Sequence, residues 1–107
     1  MKTYQMFINN EWVSGANTRE IINPATAEPI ALVPEASNQD VDRAVAAARA
    51  AFDSGPWRDS TAEQRGRILF KMADLVRQHA AMLAELETLN CGKPIVESEM
   101  DMADTAT

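Results

Sequence analysis

Two punctuated blocks limit what this chain can fold into. Asn23-Pro-Ala-Thr-Ala-Glu28 stops any strand that runs into it, because Pro24 fixes φ and withdraws a backbone donor. Glu87-Thr-Leu-Asn-Cys-Gly-Lys-Pro94 stops a helix, because Gly92 suits a left-handed cap and Pro94 blocks continuation. A small-residue helix lies between the two. The order is therefore extended segments, a turn, helices, a stop, and one further helix.

Within that frame, Tyr4–Ile8 and Glu11–Val13 flank Asn9-Asn10, a pair that tolerates the positive φ of a tight hairpin turn. Arg19–Ile22 and Pro29–Val33 read as a second pair of short strands, with Pro29 and Pro34 confining the second strand to an edge or to its own ends. Ser37 and Asp40 have capping-box spacing and open a helix whose apolar positions are Val41, Val45, Ala48 and Phe52; Gly55-Pro56 closes it. Ser60 with Glu63 signals a second start. It leads into a stripe of Ile68, Leu69, Met72, Leu75, Val76, Leu83 and Leu86 that reads as a core face, with a break near residues 78–81. A last helix begins near Val96 and is expected to be still running at Thr107, as in a chain that is cut rather than finished. The chain itself is thus α+β: two short β-hairpins followed by three to four helices, incomplete at the C-terminus.

At 107 residues, 46% hydrophobic and 24% charged, the chain has the size and composition of one globular domain. Alanine supplies much of the apolar fraction and aromatics only 6%, which leaves few large side chains to bury. Such a piece is expected to pack against more protein. The net charge of −6 is concentrated in Glu97, Glu99, Asp101 and Asp104, with no base among residues 97–107, which disfavours nucleic acid as a partner. No stretch approaches the ~20 apolar residues of a bilayer span, and the N-terminus lacks a signal core, so no membrane association and a cytoplasmic location are expected.

Side-chain chemistry is sparse. Cys91 is the only thiol, and His79, twelve positions away, is not placed to activate it. It reads as a small residue at a helix end, and His79 as a surface or helix-end histidine without further metal ligands. No glycine-rich phosphate loop is present, so cofactor binding by this segment alone is not expected. Gly92, Lys93 and Pro94 read as turn chemistry, and Trp12 and Trp57 as packing anchors. Asp101 and Asp104, three apart, project from one helix face; they form either a solvated acidic face or a pair that attracts a cation.

Met6-Phe-Ile-Asn-Asn-Glu-Trp-Val13, the Asn23–Glu28 block, Val33-Pro-Glu-Ala36, the run Asp40–Phe52 and the Glu87–Pro94 block occur in an order that resembles the N-terminal segment of NAD(P)-dependent aldehyde dehydrogenases, including those acting on aminoaldehydes and betaine aldehyde. The resemblance implies the α/β aldehyde dehydrogenase fold. Residues 1–36 would form its strand and hairpin part and 37–107 the helical part of the nucleotide-binding domain, with the catalytic and oligomerisation domains absent. It implies oxidation of aldehydes to carboxylic acids through a cysteine thiohemiacetal, with NAD or NADP in the complete enzyme, and a homo-oligomer once the remainder of the chain is present. The nucleophilic cysteine and the glutamate base lie in later parts of the family's chain; Cys91 is not that nucleophile, and the 107 residues alone are expected to be inactive. Asp101 and Asp104 match positions that line the substrate entrance in enzymes of amino-aldehydes. Ile21 and Ile22, through main-chain carbonyls, and Asn90 match a structural monovalent-cation site; the family usually has Asp at the last position, so weaker binding is expected. The competing reading is a non-catalytic, truncated interaction module that packs against full-length relatives. A small acidic helical domain unrelated to dehydrogenases would explain the composition but not the order of the motifs.

Overall fold

The computed structural model describes residues 1–107. The chain forms two compact units, Met1–Ile21 with Pro29–Ser60, and Ile22–Glu28 with Thr61–Thr107. Strands end at Glu35 and the first long helix starts at Asn38, whereas the compact units cut across that boundary.

The first unit contains β1 (Lys2–Thr3), β2 (Met6–Ile8), β3 (Glu11–Val13), β4 (Asn17–Ile22, its last residue grouped with the second unit) and β5 (Pro29–Glu35), then α1 (Asn38–Asp53) and α2 (Pro56–Asp59). Strands β2 and β3 pair antiparallel, with Phe7 opposite Trp12 and their ring centroids 4.9 Å apart. Asn9 (φ 52°) and Asn10 (φ 62°) supply the left-handed turn that the Asn-Asn pair foretold. The second strand pair, β4 beside β5, is present as expected, but β1 adds on the other side, so that β5 is the centre of a three-stranded sheet ordered β1-β5-β4. Its prolines sit near its two ends and leave Ala31 and Leu32 to pair in parallel with Lys2 and Thr3. Two residues are too few to show strand alternation, which is why β1 is silent in the sequence. Gly15 is required for a different reason: a Cβ there would lie 2.9 Å from both the Glu35 carbonyl oxygen and Pro34 Cβ.

Helix α1 begins with the expected box. Ser37 Oγ accepts from the Asp40 N–H (3.1 Å), and Asp40 Oδ2 accepts from the Ser37 N–H (2.9 Å) and its hydroxyl (2.7 Å). The hydroxyl of Ser37 and then its N–H hold the Asp40 carboxyl below its ordinary value of 3.8. Beyond Ser54, Gly55 (φ 106°) leads into Pro56, the first residue of α2, a single turn where the sequence suggested only a loop.

The second unit contains α3 (Ala62–Gln78), α4 (Ala80–Cys91) and α5 (Ile95–Thr105). Its first cap is shifted by one residue from the expected Ser60 and Glu63: Thr61 and Gln64 form the capping box, with bonds of 3.2 and 2.9 Å. Ser60 instead closes α2 by donating to the Trp57 carbonyl, and Glu63 pairs with Arg67 on the helix surface. The predicted break falls at His79 (φ −105°, ψ 12°). Helix α5 does not run to Thr107; it ends at Thr105, where the Ala106 N–H turns back to the Met102 carbonyl.

The Asn23–Glu28 turn is tied by its own polar groups. The Asn23 side chain accepts from Ala25 N–H (2.9 Å), its carbonyl accepts from Ala27 N–H (2.8 Å), and its N–H donates to the Glu28 carbonyl (2.9 Å). Gly92 ends α4 in the left-handed region (φ 77°), and its missing Cβ would lie 2.9 Å from Pro24 Cγ. The two punctuated blocks of the sequence therefore meet.

Ile8 and Ala31 in the first unit and Ala84 and Ala106 in the second are the apolar residues withdrawn from solvent. The expected core face of α3 is covered only in part within this chain: Val76 is half-buried, but Leu69 is 59% and Leu75 54% exposed, and Phe70 beside them 75%. Trp12 packs on Phe7 across the hairpin as an anchor should but stays largely exposed, and Trp57 is about half exposed.

Because Asp40 is depressed in the folded state, its box contributes fully above pH 3.8 and is lost as pH falls through the lower folded value; the Ser37 amide proton shift should titrate with a midpoint below 3.8, and Asp40→Asn should abolish that step. Gly92→Ala is expected to cost roughly 1–2 kcal/mol from the left-handed backbone alone, plus the collision with Pro24. Adding Pro24→Ala should recover part of the loss in denaturant titrations, whereas simple additivity would show that the contact does not constrain the turn.

Candidate functional site

The chemistry-bearing residues of the second unit gather where α4 turns into α5. Ala84 and Ser98 have no exposed surface, so the two helices approach through small side chains, and the hydroxyls of Ser98 and Thr88 lie 2.8 Å apart across the contact. The left-handed Gly92 reverses the chain, and Pro94 starts the next helix by accepting at its carbonyl from Glu97 and Ser98 N–H. This reversal places Lys93 over both helices. Its ammonium donates to Asp101 Oδ2 in a close ion pair and to Glu87 Oε1 at 3.2 Å. Asp101 and then Glu87 raise the lysine pKa well above its usual range. With one ammonium against two carboxylates, the cluster keeps one net negative charge. At the far end of α5, Arg77 from α3 donates to the Ala106 carbonyl at 2.7 Å and takes up an orphan acceptor of the helix terminus.

The sequence-expected residues fall unevenly on this frame. Asp101 is half-buried and held by Lys93, while Asp104, one turn further along α5, is exposed and forms no ion pair. The two aspartates share a face but are not equivalent. Cys91 is the exposed last residue of α4, and His79 is the exposed cap at the α3–α4 break, as helix-end readings required. Of the expected cation donors, Ile21 and Ile22 end β4, and Asn90 sits exposed in the last turn of α4. They offer only neutral oxygens, and no group of three or more His, Cys, Asp or Glu side chains that could hold a metal ion converges anywhere in the chain. No sequence signal marks the Lys93 bridge, because its partners lie six residues before and eight after it, across a turn rather than at helical spacing.

No helix is long and apolar enough to cross a membrane. The sequence pattern of the aldehyde dehydrogenase family matches residues 12–107. Betaine aldehyde dehydrogenase of Bacillus subtilis is 46% identical over 103 residues, 94% of this chain and 21% of that protein. Mitochondrial aldehyde dehydrogenase of Mesocricetus auratus is 49% identical over 104 residues, 92% of this chain and 20% of that protein. A crystal structure of a point variant of Staphylococcus aureus betaine aldehyde dehydrogenase in complex with NAD+ superposes with a TM-score of 0.90 at 47% identity, covering 94% of this chain and 20% of that one. The chain thus spans about a fifth of the length of the relatives it matches. With the expected motifs, the mixed α+β arrangement and these matches in agreement, the chain belongs to the aldehyde dehydrogenase family.

Proposed function

We propose that residues 1–107 are the N-terminal part of an enzyme that oxidises aldehydes to carboxylic acids with NAD, and that the α5 face bearing Asp101 and Asp104 borders the path of a cationic aldehyde. The observation that carries this reading is the similarity to an NAD+-bound betaine aldehyde dehydrogenase across nearly the whole segment. In the complete enzyme NAD would supply the hydride acceptor, while a cysteine thiolate outside these residues would add to the carbonyl carbon and water would release the acid from the resulting thioester. This segment's own residues act by placement. Gly92 and Pro94 set the angle of α5, the Ala84, Thr88 and Ser98 contact holds it against α4, and the carboxylates of Asp101 and Asp104 attract an ammonium group. The exposed apolar faces of α1 and α3 supply the surface against which the remainder of the chain would pack.

The test is a hybrid enzyme in which residues 1–107 replace the matching fifth of the Staphylococcus aureus betaine aldehyde dehydrogenase. NAD-dependent turnover of betaine aldehyde within about tenfold of the parent is expected, and Asp101→Asn with Asp104→Asn should raise KM for cationic aldehydes while leaving neutral aliphatic ones unchanged. The isolated 107 residues should produce no NADH above blank, since they hold neither the activated thiolate nor the general base. A folded hybrid without turnover, or a double replacement that affects charged and neutral aldehydes alike, would overturn the assignment.

A further inference from the structure

We propose that Lys93 is a positioning residue that sets the strength with which the α5 face attracts a cationic aldehyde; this rests on the reading of that face as a substrate entrance. The two carboxylates of this face are not equally free. Asp101 and Asp104 lie one helical turn apart, close enough to hold one ammonium between them. Yet Asp101 already faces the ammonium of Lys93, which is fixed from the other side by Glu87. A substrate ammonium therefore competes with Lys93 for Asp101 and meets only Asp104 unopposed.

The lysine comes from the turn, not from α5, so its position depends on the left-handed Gly92 and not on helical periodicity. Its side chain is about one-third exposed (32%), so its charge is screened only in part by solvent. Removing it leaves Glu87 and Asp101 without a counter-charge and frees Asp101 to turn toward Asp104. The face then becomes a stronger trap for cations. A weaker trap suits an entrance, because attraction that acts equally on the incoming aldehyde and on the outgoing product, which keeps the ammonium, slows release as much as it favours binding.

The experiment uses a complete enzyme bearing this segment and compares KM for betaine aldehyde with KM for a neutral aldehyde of similar size. Lys93→Met and Lys93→Gln should lower the KM for the cationic substrate by about 3–10-fold, the scale of one exposed charge interaction, with the neutral one unchanged. Added salt should erase the gain. Lys93→Arg should behave as the parent, and Asp101→Asn added to Lys93→Met should cancel the gain. In the parent background Asp104→Asn should raise the cationic KM more than Asp101→Asn, a comparison that needs no lysine variant to fold. Equal shifts for both substrates, no shift in the methionine and glutamine variants, loss of the parent behaviour in Lys93→Arg, or a larger effect of Asp101→Asn would overturn the proposal. If the double replacement of Asp101 and Asp104 by Asn leaves the cationic preference intact, the entrance reading itself fails and the role of Lys93 falls with it; if that preference drops but the lysine variants are silent, only the role of Lys93 fails.

Discussion

The contact between α4 and α5 is the interaction on which the rest of the second unit depends. Ala84 and Ser98, both without exposed surface, let two helix backbones lie close enough for the Ser98 and Thr88 hydroxyls to meet at 2.8 Å. Larger side chains at either place would force the helices apart, since interiors leave little room for an added methylene. The close approach also fixes the span of the reversing turn. Only a left-handed residue without a Cβ fits between α4 and Pro24, and that geometry delivers Lys93 to Glu87 and Asp101. Electrostatics on α5 is thus a consequence of small-residue packing and one glycine.

The same economy of bulk leaves much apolar surface uncovered. Three of the four apolar residues withdrawn from solvent are alanines, while Leu69, Phe70, Met72 and Leu75 of α3 stay more than half exposed. Covering side chains of this size contributes about 1.5–3 kcal/mol each, whereas burying an alanine contributes far less. Surface ion pairs such as Arg49–Asp53 and Arg67–Glu63 cannot replace that contribution, because exposed pairs are worth about 0–1 kcal/mol. The capping boxes at Ser37 and Thr61 start helices; they do not hold helices together.

Local signals in the sequence located most of the elements. Asn9-Asn10, Ser37 with Asp40, the break at His79 and the Gly92 stop each encode a backbone choice within a few residues, and each lies where expected. Misplacements arose where two adjacent residues could serve the same role. Ser60 and Thr61 can both cap, and the choice fell to the one whose third follower, Gln64, reaches back. Strand β1 carries no local signal because its two residues, Lys2 and Thr3, depend on Ala31 and Leu32 of the distant β5 for their pairing. At the candidate site the shared face of Asp101 and Asp104 was readable from helical spacing, but their inequivalence was not, because it depends on a turn lysine that no periodicity links to α5. The α3 stripe was read correctly as apolar, but sequence periodicity cannot say whether the covering layer belongs to the same chain.

The proposal that the exposed apolar faces of α1 and α3 pack against further protein is tested most directly by heating the 107-residue chain in the presence of a hydrophobic dye while its oligomeric state is followed. The account requires dye binding before melting, together with self-association or a broad transition whose midpoint differs between helical and aromatic signals. A monomer that binds no dye and melts in one sharp transition, coincident by both signals, would show that the segment closes its own core and would contradict the account.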